Sequence, residues 1–216
     1  MNVNLILAET QRSEFYLKSL IKAKINIDSI FYYSKIKKNT YKLIKENKLL
    51  HKIHIFQTLN INNKKLVNTL CKNISNKKTV FSGYPGEIVR DVKLLKKNLI
   101  HCHSGDLPYF KGSTTFYYAI LKKKRIAVSV IIINQIIDNG KIIYKKFFNP
   151  LLDKKSLEKN YDDNIRSKTL INFLSTKNKL HKYSNNKNSD KFIYYIAHPL
   201  LRKLVENKYL IKELYK

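Results

Sequence analysis

Two histidines one residue apart, His101 and His103, stand at the end of a short apolar run, Leu99-Ile100. Alternate residues of a strand share a face, so the two imidazoles point to one side of a sheet and Cys102 to the other. Ser104-Gly105-Asp106-Leu107-Pro108 then turns the chain away, and Lys111-Gly112-Ser113-Thr114-Thr115 leads into a helix-like stretch over 116–121. Imidazoles at the mouth of a strand can move protons or stabilise an oxyanion. Further along, Asp138-Asn139-Gly140 is a strong turn signal. The histidine cluster belongs at the carboxyl edge of an α/β sheet, where ligands of these folds bind.

The rest of the chain must supply that sheet. Apolar runs at 3–8, 27–33, 53–56, 78–82 and 99–103 read as strands. Between them, 9–21, 40–50 and 63–74 carry apolar residues at helical spacing. Strand and helix alternate to about residue 120, which predicts an α/β fold with a mostly parallel, doubly wound sheet. Residues 127–133 are continuously apolar, as a strand buried on both faces would be. The Asp138-Asn139-Gly140 turn joins them to 141–147, adding an antiparallel edge hairpin. Residues 1–150 are taken as the catalytic domain and 151–216 as a helical C-terminal appendage. The appendage is expected to hold a helix over 155–174, a polar loop over 178–190 and a second helix over 192–215, with His198-Pro199 at the start of that second helix. Ser113 or Thr114 is expected to cap the helix at 116–121. Tyr117 and Tyr118 are expected to pack, and His51, His54 and His181 to lie at the surface.

Composition sets limits on function. The chain has 216 residues, 44% of them hydrophobic, which suits one medium domain with a real core. The net charge of +28 invites a nucleic-acid or anionic-membrane partner. The lysines are spread along the whole chain, however, and arginine is confined to Arg12, Arg90, Arg125, Arg166 and Arg202. A phosphate reader would use more of the fork-shaped guanidinium. The charge is therefore read as codon bias toward Lys, Asn and Ile, and nucleic acid is not the expected partner. Cys71 and Cys102 make neither a metal-spaced pair nor a disulfide framework, so no metal site is expected and the chain reads as a reduced, cytoplasmic protein. No apolar run is long enough to span a membrane, and the N-terminal apolar run lacks a basic leader. After Ala8 comes Glu9-Thr10-Gln11-Arg12, with no glycine-rich phosphate turn.

Taken together, His101-x-His103, Leu107-Pro108, Lys111-Gly112 and Asp138-x-Gly140 resemble the formyltransferases that use 10-formyltetrahydrofolate. That family includes glycinamide ribonucleotide transformylase, methionyl-tRNA formyltransferase and sugar N-formyltransferases. The resemblance covers about residues 1–150, and its pattern is Asn-x-His, Leu-Pro, a basic residue with Gly, then Asp-x-Gly. It implies a Rossmann-like formyltransferase fold. It also implies that His103 donates to the oxyanion or shuttles a proton, and that Asp138 orients and charges His103. His101 stands where the family has Asn, and Lys111 where it has Arg; His101 is read either as a second catalytic donor or as a residue that shapes the pocket. The loop Gly83-Tyr84-Pro85-Gly86-Glu87-Ile88 matches the family's folate loop. Gly86, Glu87 and Ile88, with Gln135, Ile136 and Ile137, are the implied folate contacts, and Ser104 and Lys111 the implied substrate contacts. Gly112-Ser113-Thr114-Thr115-Phe116-Tyr117-Tyr118 and Tyr194-Tyr195-Ile196-Ala197-His198-Pro199 look most like the sugar N-formyltransferase-like proteins of bacterial surface-glycan clusters. The implied acceptor is then a small-molecule amine on an amino sugar or sugar nucleotide, with a homodimer left open. Two alternatives remain: a glycinamide ribonucleotide transformylase-like enzyme, and a binding protein of this fold whose catalysis is altered or lost. The tRNA reading fails for want of a large C-terminal barrel, since the residues after Pro150 are few and read as helices.

Overall fold

A computed structural model describes residues 2–47, 52–74, 77–122, 124–149, 160–176 and 193–214. The strands are β1 (Asn2–Ala8), β2 (Asn26–Tyr33), β3 (Lys52–Phe56), β4 (Lys78–Ser82), β5 (Ile100–His103), β6 (Lys111–Gly112), β7 (Ile126–Ile132), β8 (Lys141–Phe148) and β9 (Ile193–Tyr194). The helices are α1 (Gln11–Lys22), α2 (Asn39–Glu46), α3 (Lys64–Asn73), α4 (Val92–Leu95), α5 (Thr115–Leu121), α6 (Tyr161–Ser175) and α7 (Pro199–Leu214). Seven strands form one sheet in the order β3-β2-β1-β4-β5-β7-β8. The first five run parallel, and β7 and β8 complete an antiparallel edge. This is the mostly parallel α/β sheet with an edge hairpin that the alternation of apolar runs predicts.

β1 shows why those runs are uninterrupted. Val3, Leu5 and Leu7 pack into one core with α1, α6 and β7. Ile6 and Ala8 pack into a second core with α3 and α4 on the opposite face. A strand covered on both faces has no polar side to show. The chain leaves β1 and crosses to β2 on one side, then returns to β4 on the other, so the strand order reverses between β1 and β4. That reversal opens a crevice beyond their carboxyl ends.

The tail differs from its expected layout. Within 192–215, Ile193 and Tyr194 form β9, paired parallel with Lys111 and Gly112 of β6, and the helix starts only at Pro199. The start at His198-Pro199 agrees with the ring of proline suiting a first helical turn. The expected helix over 155–174 begins among the described residues at Tyr161, and the polar loop at 178–190 lies outside them, as do His51 and His181. Tyr161, Ile165, Leu170, Phe173 and Leu174 of α6 enter the same core as β1 and β7. His54 is not a bare surface residue, because its ring stacks on Phe31 at 4.8 Å. Thr114 flanks α5 but does not cap it; its hydroxyl instead accepts from the Ala197 N–H at 2.8 Å. No helix among the described residues is long and apolar enough to cross a membrane.

Candidate active site

The β5 strand ends in His103, which is 3% exposed and bonded at both ring nitrogens. Its Nδ1 lies 3.2 Å from Asp138 Oδ1 and its Nε2 lies 2.7 Å from the Phe110 carbonyl. Both partners are acceptors, so a ring protonated on both nitrogens satisfies them together. The turn after β5 closes tightly around this imidazole. A Cβ on Gly105 would sit 2.5 Å from His103 Nε2 and 2.2 Å from the Phe110 oxygen, so only glycine fits.

Asp138 reaches the ring from the loop between β7 and β8, held in the left-handed region at φ 52°. Its second oxygen accepts the Gly112 N–H at 2.8 Å. Burial works to raise its pKa, but the charge and hydrogen bond of His103 and the Gly112 amide outweigh burial and hold it well below the usual carboxylate range. Gly112 is required here: its φ is +99°, and a Cβ would stand 2.1 Å from the Tyr194 carbonyl. The β6–β9 pairing thus presents a backbone amide to the carboxylate.

His101 lies on the same face, with Nδ1 3.2 Å from the Phe81 carbonyl of β4. Burial, together with the guanidiniums of Arg12 and Arg166, pushes its pKa down to about 3, against the opposing pull of Asp138. Cys102 faces the other way, as expected, and is wholly buried in the core; burial pushes its thiol up to about 12.

Two arginines that the motif reading left aside hold this edge together. Arg12, in the first turn of α1, spans the crevice at the β1/β4 reversal. It donates to Ser82 Oγ at 3.2 Å and to the Gly83 carbonyl at 2.5 Å. Ser13 joins it by donating to the Ser82 carbonyl at 3.1 Å. Arg166 comes from α6 and donates to the Cys102 carbonyl at 2.7 Å, to Ser104 Oγ at 2.9 Å and to Asp162 at 2.9 Å. Burial would lower the Arg166 pKa, but Asp162 and its neighbours hold the guanidinium charged. The one signal in the sequence was scarcity: arginine is rare in a lysine-rich chain, and its fork of donors suits several acceptors at once.

The remaining expected contacts divide. Ser104 is 2% exposed, and its hydroxyl oxygen accepts from Arg166. Lys111 reaches Asn139 Oδ1 at 3.4 Å, beside Asp138. The Glu87 carboxylate turns inward, accepting from the Tyr84 N–H at 2.9 Å, the Ile61 N–H at 2.7 Å and the Tyr33 hydroxyl. It therefore shapes its loop and does not offer a charge to a bound molecule. The loop that carries Gln135 reaches the chain just past the 83–88 loop, through a Gln135 side-chain bond to the Arg90 carbonyl at 3.3 Å. Next to Asp138, Ile136 and Ile137 are 62% and 40% exposed, and Gly86 has open space where a side chain would be.

No protein-family model matches the chain, and no curated protein matches it by sequence. Solved structures do match in shape. A sugar N-formyltransferase from Shewanella superposes with a TM-score of 0.59 at 16% identity, covering 97% of this chain and 88% of that one. A phosphoribosylglycinamide formyltransferase from Bacillus halodurans gives a TM-score of 0.59 at 16% identity, covering 84% of this chain and 100% of that one. An N-formyltransferase from Helicobacter canadensis, solved with folinic acid and dTDP-3-aminofucose, gives a TM-score of 0.55 at 16% identity, covering 89% of this chain and 70% of that one. Identities this low establish architecture alone, and on that ground the chain has the formyltransferase fold shared by sugar N-formyltransferases and phosphoribosylglycinamide formyltransferases.

Proposed function

We propose that this protein transfers a formyl group from 10-formyltetrahydrofolate to the primary amine of a small molecule. The acceptor class is an amino sugar carried on a nucleotide, as in surface-glycan synthesis in the cytoplasm. The observation that carries the reading is the buried His103–Asp138 pair, with the Gly112 amide on the second carboxylate oxygen. In the net reaction the amine nitrogen bonds to the formyl carbon, the bond from that carbon to folate N10 breaks, and one amine proton ends on N10. The folate co-substrate supplies the formyl carbon, and Gly86, Ile88, Gln135, Ile136 and Ile137 are the residues that would hold it.

The protein's own part is electrostatic and geometric. His103 carries a proton at Nε2 that donates to the Phe110 carbonyl at rest. Sharing that donor with the formyl oxygen would stabilise the negative charge that grows there. Asp138 orients the ring through Nδ1 and, with lone pairs to spare on both oxygens, takes the amine proton directly or through one water. Lys111 adds a positive charge at the acceptor side of the loop.

The glycinamide ribonucleotide reading rests on the Bacillus halodurans likeness. Against it, the turn after β1 carries Thr10, whose hydroxyl accepts the Ser13 N–H at 3.2 Å, and Arg12, bonded to the Gly83 carbonyl. The glycine-containing phosphate loop of those enzymes has no counterpart in that turn. A panel of nucleotide-linked amino sugars, with glycinamide ribonucleotide as a further arm, should release tetrahydrofolate from 10-formyltetrahydrofolate in a sugar arm. Release only with the ribonucleotide would move the acceptor class. No release in any arm, with no folate binding, would leave a non-catalytic protein of this fold.

A further inference from the structure

His101 differs from His103 in what its second nitrogen can do. Nδ1 faces the Phe81 carbonyl, and a carbonyl only accepts, so Nδ1 carries the hydrogen. In a neutral imidazole Nε2 is then a bare lone pair. No hydrogen bond is made to Nε2 among the described residues, and it is not among the buried side-chain atoms left without a partner, so it keeps access to solvent.

The neighbouring charges decide whether the ring stays neutral. Arg12 on α1 and Arg166 on α6 are positive; His103 shares the strand; Asp138 on the β7–β8 loop opposes them. Asp162 neutralises part of Arg166. The Asp138 carboxylate is already bonded to His103 and Gly112, so its pull on His101 is diluted. A second imidazolium beside His103 would add like-charge repulsion.

We propose that His101, its ring fixed through Nδ1 on the Phe81 carbonyl, presents Nε2 as a hydrogen-bond acceptor to an N–H of the acceptor amine. The identity of the amine rests on the formyl-transfer reading; the state of the ring does not. A neutral amine has hydrogens to give and one lone pair to attack with. Fixing one N–H on a rigid acceptor fixes where that lone pair points. An asparagine amide could turn either its oxygen or its NH2 to the same place, whereas His101, pinned by Phe81, can offer only an acceptor. The substitution therefore changes the hydrogen-bond polarity of this position and does not merely enlarge it.

Side-chain nitrogen NMR of the full-length protein reads this directly, with His101→Asn to assign the signal. From about pH 5 to about pH 8, the range in which an ordinary histidine titrates, Nδ1 should remain protonated, Nε2 bare, and neither should titrate. A hydrogen on Nε2, or titration near the ordinary histidine value, overturns the proposal. Arg12→Gln should move the ring's titration upward into that range; an unmoved ring removes Arg12 from the account. In the transfer assay, His101→Phe, which keeps a ring and removes the acceptor, should raise KM for the amine about tenfold, the scale of one lost hydrogen bond, with a smaller change in kcat. An unchanged KM contradicts the amine contact even where the NMR result holds. Failure of all transfer, with the predicted ring state present, would remove the formyl-transfer reading alone.

Discussion

At the scale of single residues, the strand end at His103 and the Asp138-Asn139-Gly140 turn were each legible as short local signals, but only the resemblance to the formyltransferases implied that the two meet. Exchanging His103→Ala or Asp138→Asn should each lower kcat/KM about 100-fold or more, the usual scale for losing an oxyanion donor or a base. Folate binding should persist in both, and near wild-type rates would remove the site. Arg12 and Arg166 were not legible, since each lies on a helix far in sequence from the carbonyls it bonds. Their presence makes His101 a liability in acid. Its folded pKa is depressed to about 3 while an unfolded chain has the ordinary value, so between the two the unfolded state binds a proton that the folded state refuses. Stability should therefore rise with pH across that window, the penalty being about 1 kcal/mol near pH 5.5 and gone above about pH 7. Urea midpoints of wild type and His101→Asn should diverge as pH falls from neutral, with the variant the more resistant; parallel curves would contradict the burial of a neutral ring. The depressed Asp138 acts in the same direction in a lower range, its contribution being nearly complete above about pH 5 and lost as pH falls below that.

At the scale of elements, the site depends on two contacts that no periodicity announces. The two-residue strand β9 has no pattern of its own and lies in an apolar stretch that reads as part of a helix; it exists because Gly112 lets β6 approach it. A Gly112→Ala exchange combines a positive φ with a close backbone clash. It should cost about 2 kcal/mol or more by thermal or chemical unfolding, and it should weaken activity by shifting the amide on Asp138. An exchange within a few tenths of wild type would mean that this strand pair is dispensable. Likewise α6 was expected as a helix, but its apolar positions say nothing about which surface they cover. Leu170, fully buried against the sheet, should lose about 2 to 5 kcal/mol on truncation to Ala. The strands β1 to β5 were readable for the opposite reason, since two-sided burial writes itself as unbroken apolar runs.

For the molecule as a whole, alternating strands and helices gave the parallel sheet, and the Asp138 turn gave its antiparallel edge. What composition could not give was how the tail docks: α6 sends Arg166 to the backbone of β5, tying residues beyond 150 to the site. The net charge of +28 also acts at this scale. It should draw anionic acceptors at low salt, so KM for a nucleotide-linked amine should rise several-fold between about 0.05 M and about 0.5 M salt while kcat changes little; a flat KM would show that the charge plays no part in capture. The kinetic predictions rest on transfer itself. The most direct measurement follows a labelled formyl carbon from 10-formyltetrahydrofolate into a nucleotide-linked amino sugar, with wild type and Asp138→Asn side by side. The account predicts label in the formamide product with wild type and at least about 100-fold less with the variant. Equal labelling in both, or none in either, would contradict it.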